Sequence, residues 1–278
     1  MPGILVTGAS TGIGEACVLH LASLGHRVFA GVRKDADGER LRDQGGPTVV
    51  PVLLDVTDPD AIKSAAAFVE RDLGTVRLAG IVNNAGVARG GPLEFLPIDE
   101  WREQLEINVI GQVAVTQAFM PLLRAAYGRV VFIGSIGGRI GQPLMGPYNA
   151  SKFALEGIAE SFRHEVEPFG IKVVLVEPGA VNTPIWGKGQ QTMARLVDDA
   201  PPAMVEQYDP MMQKVAAALE KNDGGGIEAS VVAKVVERAL FSGHPRPRYL
   251  VGPDAKSAGH LMRFVPDRVR DVMVRRFA

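Results

Sequence analysis

The sequence has a single cysteine, Cys17, so no internal disulfide can form, which fits a reducing compartment. It has no excess of either charge. Thirty Lys and Arg against 31 Asp and Glu leave −1 at neutral pH, which argues against a field that would hold nucleic acid or an acidic membrane. The five histidines fall in no ligand-like pattern, and zinc spacings are absent, so no metal is expected. No uninterrupted apolar run approaches the roughly 20 residues that span a bilayer. The strand-like Ile4–Val6 starts almost at Met1, so no leader is expected either. Internal repeats and low-complexity tracts are missing. These absences lead us to expect a cytoplasmic protein without stable membrane insertion.

What is present is ample apolar material, 46% of 278 residues, in an alternating order. Short β-rich runs are Gly3–Thr7, Arg27–Val32, Thr48–Leu54, Leu78–Val82, Arg129–Gly134, Lys172–Val176 and Arg248–Val251. Several are apolar almost throughout, as in strands covered on both faces. Helical patterns lie at Ile13–Leu24, Asp58–Leu73, Asp99–Ala126, Pro147–Pro168 and Glu228–Phe241. Asp58-Pro59 opens the second of these as a cap with proline in the first turn. Strands alternating with crossover-length helices predict an α/β fold, a single doubly wound parallel sheet of about seven strands with helices on both faces. The whole chain, residues 1–278, reads as one domain. Residues 184–226, rich in Met, Gln, Pro and Gly, read as a substrate lid inserted in it, and 255–278 as a helical tail.

Two motifs carry chemistry. Thr7-Gly8-Ala9-Ser10-Thr11-Gly12-Ile13-Gly14 follows the first strand and opens a helix. Glycines there allow a tight turn and close backbone approach to a pyrophosphate, while the helix N-terminus favours negative charge. The spacing Gly-x3-Gly-x-Gly differs from the Gly-x-Gly-x-x-Gly of other dinucleotide folds. In Tyr148-Asn149-Ala150-Ser151-Lys152, residues four apart share a helix face. An ammonium beside a phenol should lower the tyrosine pKa toward working pH and make it an acid/base. Alone, a Tyr-x3-Lys is usually an ordinary exposed pair. Here it stands thirteen residues after Ser135, at the end of an apolar strand, and other strand ends carry Asn83-Asn84-Ala85-Gly86 and Glu177-Pro178-Gly179. Ligands of open α/β sheets sit at such ends.

In order and spacing these motifs resemble the short-chain dehydrogenase/reductase family, of the non-extended kind with one Rossmann-like domain, from Gly3 to about Val251. The resemblance implies a nicotinamide-dependent oxidoreductase interconverting an alcohol and a carbonyl, with Asn108, Ser135, Tyr148 and Lys152 as its catalytic set. It implies that Thr7, Gly8, Ser10, Thr11, Gly12, Ile13 and Gly14 surround the cofactor phosphates and that Asp55 and Val56 contact adenine. Asn83, Ala85 and Gly86 would line the cofactor's middle, Lys152 would hold the nicotinamide ribose beside Tyr148, and Pro178, Gly179, Val181 and Thr183 would hold the nicotinamide amide. Asn108 would order a water that links Lys152 to solvent. Leu54-Asp55-Val56-Thr57 and Gly141-Gln142-Pro143 look like the retinol and hydroxysteroid dehydrogenase branch. That points to a hydrophobic alcohol or carbonyl substrate held by Ser135, Leu144, Met145, Tyr148, Ile185 and Trp186.

At the end of the second strand Val32 replaces the aspartate of NAD-preferring relatives, and Arg33 offers a guanidinium to a 2′-phosphate, so NADP(H) is favoured over NAD(H). Thr11 argues slightly the other way, because a second basic residue often stands there in NADP-preferring relatives. The opposing reading makes Arg33 a solvated loop charge and brings Asp35 to the ribose. The helices Asp99–Ala126 and Pro147–Pro168 would form the interface of a homodimer or homotetramer, or else merely cover the sheet. Cys17 reads as core. Asn149-Ala150-Ser151, a formal glycosylation sequon, falls inside the catalytic helix and is dismissed. His260–Ala278 is basic and amphipathic, suited to packing on its own protein, a subunit or a membrane surface. Two other functions compete: a cofactor-sensing regulator without turnover, which would not need the acid/base pair, and a reductase of acyl-carrier-bound ketones, which would need a basic docking patch.

Overall fold

A computed structural model describes residues 1–185, 187, 201–222, 225–261 and 265–277. Its strands are β1 (Gly3–Val6), β2 (Arg27–Val32), β3 (Val49–Leu53), β4 (Leu78–Asn83), β5 (Arg129–Ile133), β6 (Lys172–Pro178) and β7 (Arg248–Val251). They form one parallel sheet in the order β3-β2-β1-β4-β5-β6-β7. The order reverses between β1 and β4, which creates a crevice at the C-terminal strand ends. Val6 pairs with Val82, Val82 with Val131 and Val131 with Val174. This row brings the four central strand ends out side by side.

The helices are α1 (Gly12–Ser23), α2 (Asp35–Gly45), α3 (Pro59–Leu73), α4 (Ile98–Leu105), α5 (Gly111–Ala126), α6 (Gly146–Val166), α7 (Pro202–Asn222), α8 (Ala229–Phe241), α9 (Pro253–Leu261) and α10 (Asp267–Phe277). Strand side chains alternate between two cores. Ile4, Val28, Val82, Val131 and Val174 pack with Cys17, Val18 and Leu21 of α1 and Val232 and Val236 of α8. Leu5, Phe29, Ile81, Val130 and Leu175 pack with Val69 of α3, Phe119 of α5 and Leu155 of α6. Cys17 is fully buried, and burial pushes its thiol up to about 12, as suits a core residue.

Asp58 caps α3 as its position suggests, its Oδ1 accepting from the Asp60 and Ala61 amides at 2.9 and 3.2 Å. Sequence reasoning misses α2. Only Gly38 and Leu41 of its eleven residues are buried, so it presents no apolar stripe to read. It also reads Asp99–Ala126 as one continuous helix. The structure inserts a π-helical turn, Glu106–Ile110, between α4 and α5. The run Ile98–Ala126 is long and apolar enough to cross a membrane by composition alone. In the fold it is a sheet-covering helix, with Val115, Phe119 and Leu123 fully buried. Within 184–226 the described residues include α7, and the tail divides into α9 and α10.

Candidate active site

A cleft of about 610 Å³ opens at the ends of β1, β4, β5 and β6. Gly8, Ser10, Thr11, Gly12 and Ile13 line its floor. Gly8 has φ +60, and a Cβ there would meet the Ala85 Cα at 2.7 Å, so only glycine lets the loop pass beneath the end of β4. Gly14 is not on the cleft surface. A Cβ at Gly14 would meet the Gly8 carbonyl at 2.3 Å, so this glycine seats α1 against its own loop. Thr11 precedes α1 without a side-chain cap, leaving the first amides of the helix open to the cleft.

Thr7 is fully buried and acts as a strut rather than a wall. Its hydroxyl accepts from the Asn84 and Ala85 amides, both at 3.0 Å. The Asn84 side chain returns the contact, donating to the Thr7 and Gly8 carbonyls at 2.9 and 3.0 Å. Expectation and structure part at the neighbouring asparagine. Asn83 is fully buried, donating to Thr116 Oγ1 at 2.8 Å, while Asn84, Ala85 and Gly86 line the cleft. The last position of a parallel strand alternates inward, so the polar face begins one residue later.

The segment after β4 is held by three amides at four-residue spacing, one face of the run from α4 to α5. Gln112 donates to the Ala85 carbonyl at 2.9 Å. Asn108 accepts from the Val87 amide at 2.9 Å and donates to its carbonyl at 3.0 Å. Gln104 donates to the same carbonyl at 3.0 Å and accepts from the Arg89 amide at 2.7 Å. Sequence reasoning singled out only Asn108. The spacing 104, 108, 112 is the signal that could have found the other two. Asn108 also donates to Ser151 Oγ at 3.2 Å, and that hydroxyl donates to the Tyr148 carbonyl at 2.7 Å. Asn108 is fully buried and does not line the cleft.

Ser135, Tyr148 and Lys152 do converge on the cleft. Ser135 follows β5, accepts from the Gly137 amide at 3.0 Å, and is hydrogen-bonded to Tyr148. Lys152 Nζ donates to the Ile133 carbonyl at 2.8 Å and lies 5.7 Å from the centre of the Tyr148 ring. The electrostatics correct the sequence reading. Burial raises the Tyr148 pKa above its ordinary value, and the Ser135 hydrogen bond only partly opposes this. Burial also lowers Lys152 to about 8. Both groups are pushed toward their neutral forms, because desolvation penalises each charge. Asn149, the sequon residue, is buried, with its amide spent on Gly137, Ile140 and Gln142.

At the far end, Gly31, Val32, Arg33, Asp55, Val56 and Thr57 line the cleft. Arg33 is exposed. Burial pushes the Asp55 carboxyl up, but the Thr57 amide and hydroxyl at 2.9 and 2.8 Å and the charge of Arg33 outweigh it and hold the pKa below the ordinary value. Arg40, which no sequence motif marks, donates to the Ser10 carbonyl and to Glu15, both at 2.6 Å, and so pins the glycine loop from α2. Pro178, Gly179, Val181, Thr183 and Ile185 line the near end. Met145 packs with Tyr148, Ala88 and Ile185 but is buried behind them and, against expectation, is not on the cleft surface. Leu144 is buried at φ +62 and is not on the cleft surface, its carbonyl accepting from the Gly91 amide at 2.7 Å. Trp186 lies outside the described residues.

This geometry has known counterparts. The family model described as short chain dehydrogenase matches residues 3–194. The chain belongs to the short-chain dehydrogenase/reductase family. This dehydrogenase is 34% identical over 272 residues to the NADPH-dependent 3-dehydrocapnine reductase of Ornithobacterium rhinotracheale, covering 96% of this chain and 94% of that one. It is 35% identical over 277 residues to retinol dehydrogenase 5 of Mus musculus, covering 98% and 87%. A short-chain dehydrogenase from Streptomyces avermitilis superimposes with a TM-score of 0.78 at 32% identity, covering 99% and 95%. As a member of this family the chain is an oxidoreductase acting on CH–OH groups with NAD(P). Its cradle fits that cofactor: glycines stand where a Cβ would collide, beneath an uncapped helix N-terminus.

Proposed function

We propose that this dehydrogenase interconverts a hydrophobic alcohol and its ketone or aldehyde, with NADP(H) preferred over NAD(H). The observation that carries the reading is the meeting of Ser135, Tyr148 and Lys152 with the apolar Ala88 and Ile185 in one cleft, Met145 packing behind them. The bound nicotinamide supplies or accepts the hydride. Ser135 hydrogen-bonds the substrate oxygen, and Tyr148 exchanges a proton with it. A buried phenol keeps its proton at neutral pH, the form that donates to a carbonyl, which supports the reductive direction. Lys152 orients the cofactor ribose beside Tyr148. Asn108 acts through the Val87 backbone and Ser151.

Substrate class follows from what the wall offers. Of the two arginines among the described lining residues, Arg89 is already paired with Glu100 and Glu103, and Arg33 stands at the opposite, adenine end. A carboxylate or phosphate on the substrate would find little to hold it, whereas a steroid-, retinoid- or long-chain-like molecule would find Ala88 and Ile185. The name of the retinol dehydrogenase relative supports an apolar alcohol, and that of the NADPH-dependent 3-dehydrocapnine reductase supports NADPH. Residues 184–226 serve as the lid: Tyr208 of α7 donates to Glu94 at 2.8 Å and sits edge-on to Phe95 at 5.7 Å. Exposed Ile110 and Phe153, beside α5 and on α6, suit these helices to a homodimer or homotetramer interface.

The test compares kcat/KM for long-chain, steroid and retinoid alcohols and carbonyls with that for small polyols and hydroxy acids, using both cofactors. The apolar series should be preferred with NADP(H). Higher values for the small charged compounds would refute the substrate class. Tight cofactor binding without turnover of any compound would favour a regulator.

A further inference from the structure

Behind the cleft lies a group of charges that the proposed chemistry does not use. Glu156 stands on α6 one turn beyond Lys152 and two beyond Tyr148. Its Oε2 accepts from Arg248 Nε of β7 at 2.9 Å. Its Oε1 is buried and has no N–H or O–H donor among the described residues. Glu177, fully buried, directly precedes Pro178 and Gly179 on β6. Both Glu177 oxygens accept from Arg139, one of them at 2.8 Å, and Arg139 ends the short turn that begins at Ser135. Glu177 neighbours Glu156 and raises its affinity for a proton, both as a hydrogen-bond partner and by its charge. A hydrogen bond between two carboxyl groups requires one proton, and a proton held there would give the orphaned Glu156 oxygen a partner.

We propose that Glu156 and Glu177, clamped by Arg248 and Arg139, are positioning residues that share one proton and thereby set the separation of α6 from the end of β6. The elements so joined carry opposite parts of the cofactor cleft: Tyr148 and Lys152 on one, Pro178 and Gly179 on the other, with Ser135 tied in through Arg139. When the proton leaves, two carboxylates confront each other in a buried site, and their repulsion pushes these walls apart. The charged groups facing the pair are Arg139 after β5, Arg248 on β7, and Glu160 and Arg163 on α6 itself. Burial, reinforced by the hydrogen bond and charge of Glu177, raises Glu156 to about 7 from 4.5, with Arg248 opposing, so the proton leaves near neutrality. The folded chain then holds more protons than the unfolded one between 4.5 and about 7, and stability falls as pH rises through that window.

This inference rests on the cofactor reading of the cleft, and its test separates the two. NADPH and NADH affinities are measured by fluorescence titration from about pH 5.5 to about pH 8.5 for the full chain and for Glu156→Gln, whose amide donates to Glu177 at every pH. Urea unfolding is followed in parallel without cofactor. The wild-type affinity for both cofactors should fall above neutrality by up to about tenfold per pH unit, the most that one linked proton allows, and Glu156→Gln should be flat. The wild type should also lose stability relative to the variant as pH rises toward neutrality. Should Glu156→Gln fail to fold, Glu177→Gln removes the same repulsion and carries the same comparison. Superimposable affinity profiles overturn the inference alone, as does a stability profile that the substitution leaves unchanged. A wild-type chain that binds neither cofactor at any pH overturns the cofactor reading and the inference with it.

Discussion

Replacing Arg33 with alanine isolates cofactor choice, because the side chain is exposed on the cleft and supports no core packing. A charge-assisted hydrogen bond to a phosphate is worth about 1.5–3 kcal/mol, and each 1.4 kcal/mol is about tenfold in affinity. Solvent screening at an exposed site selects the lower part of that range. Arg33→Ala should therefore raise the NADPH Kd by about ten- to thirtyfold. NADH lacks the 2′-phosphate and should change by less than about threefold. One secondary effect has a definite sign. Arg33 helps hold the Asp55 carboxyl low, so its removal lets that pKa rise, though the Thr57 amide and hydroxyl keep the group ionised at neutral pH. NADH binding is thus not expected to collapse through Asp55. The assay is quenching of protein fluorescence, or enhancement of cofactor fluorescence, at two ionic strengths, and the NADPH effect should shrink with salt. Equal losses for the two cofactors, or none for either, would refute the assignment of Arg33 to the 2′-phosphate.

Tyr148→Phe removes the proton donor and keeps the ring, so kcat should drop by about 10²–10⁴ while NADPH affinity stays within about twofold. Retained turnover in a steady-state assay would count against Tyr148 as the acid. Lys152→Met tests the charge buried behind it. The fall from 10.5 to about 8 corresponds to roughly 3 kcal/mol of penalty on the ammonium at neutral pH. The folded chain holds fewer protons than the unfolded one between about 8 and 10.5, so stability rises with pH across that window and the full penalty applies below it. Offset by the Ile133 carbonyl losing its donor, the variant should gain about 1–2 kcal/mol at pH about 6.5 in urea unfolding and lose activity; a destabilised variant contradicts the buried-charge argument. Gly8→Ala forces a Cβ into φ +60 and against Ala85, and should cost about 2–4 kcal/mol or abolish cofactor binding. A variant with wild-type stability and cofactor affinity would show that the loop does not need glycine there.

Much of the fold was legible because strands buried on both faces advertise themselves. The β-rich runs Arg27–Val32 and Arg248–Val251 coincide with β2 and β7, and Asp58-Pro59 marks both the start of α3 and its cap. Ser135, Tyr148 and Lys152 were recognisable because strand end, helix face and spacing agree. What stayed hidden depends on partners distant in the chain. The helix α2 has too little buried surface to leave a periodic trace, yet its Arg40 pins the glycine loop from thirty residues away. The amide ladder of Gln104, Asn108 and Gln112 has meaning only once the backbone after β4 is laid against it.

The parallel sheet, the glycine cradle and the helix that carries Tyr148 and Lys152 on one face can be read from residue type and local spacing. That Asn84 and not Asn83 faces the cleft is settled by packing, because a one-residue step along a strand reverses the side chain. Packing also decided the charges. An ammonium four residues from a phenol suggests a lowered pKa, but the fold removes both groups from water, and desolvation raises Tyr148 and lowers Lys152. The Glu156–Glu177 pair belongs to the structure alone. Nothing in the spacing of residues twenty-one apart foretells that α6 and β6 bring two carboxyl groups together between Arg248 and Arg139.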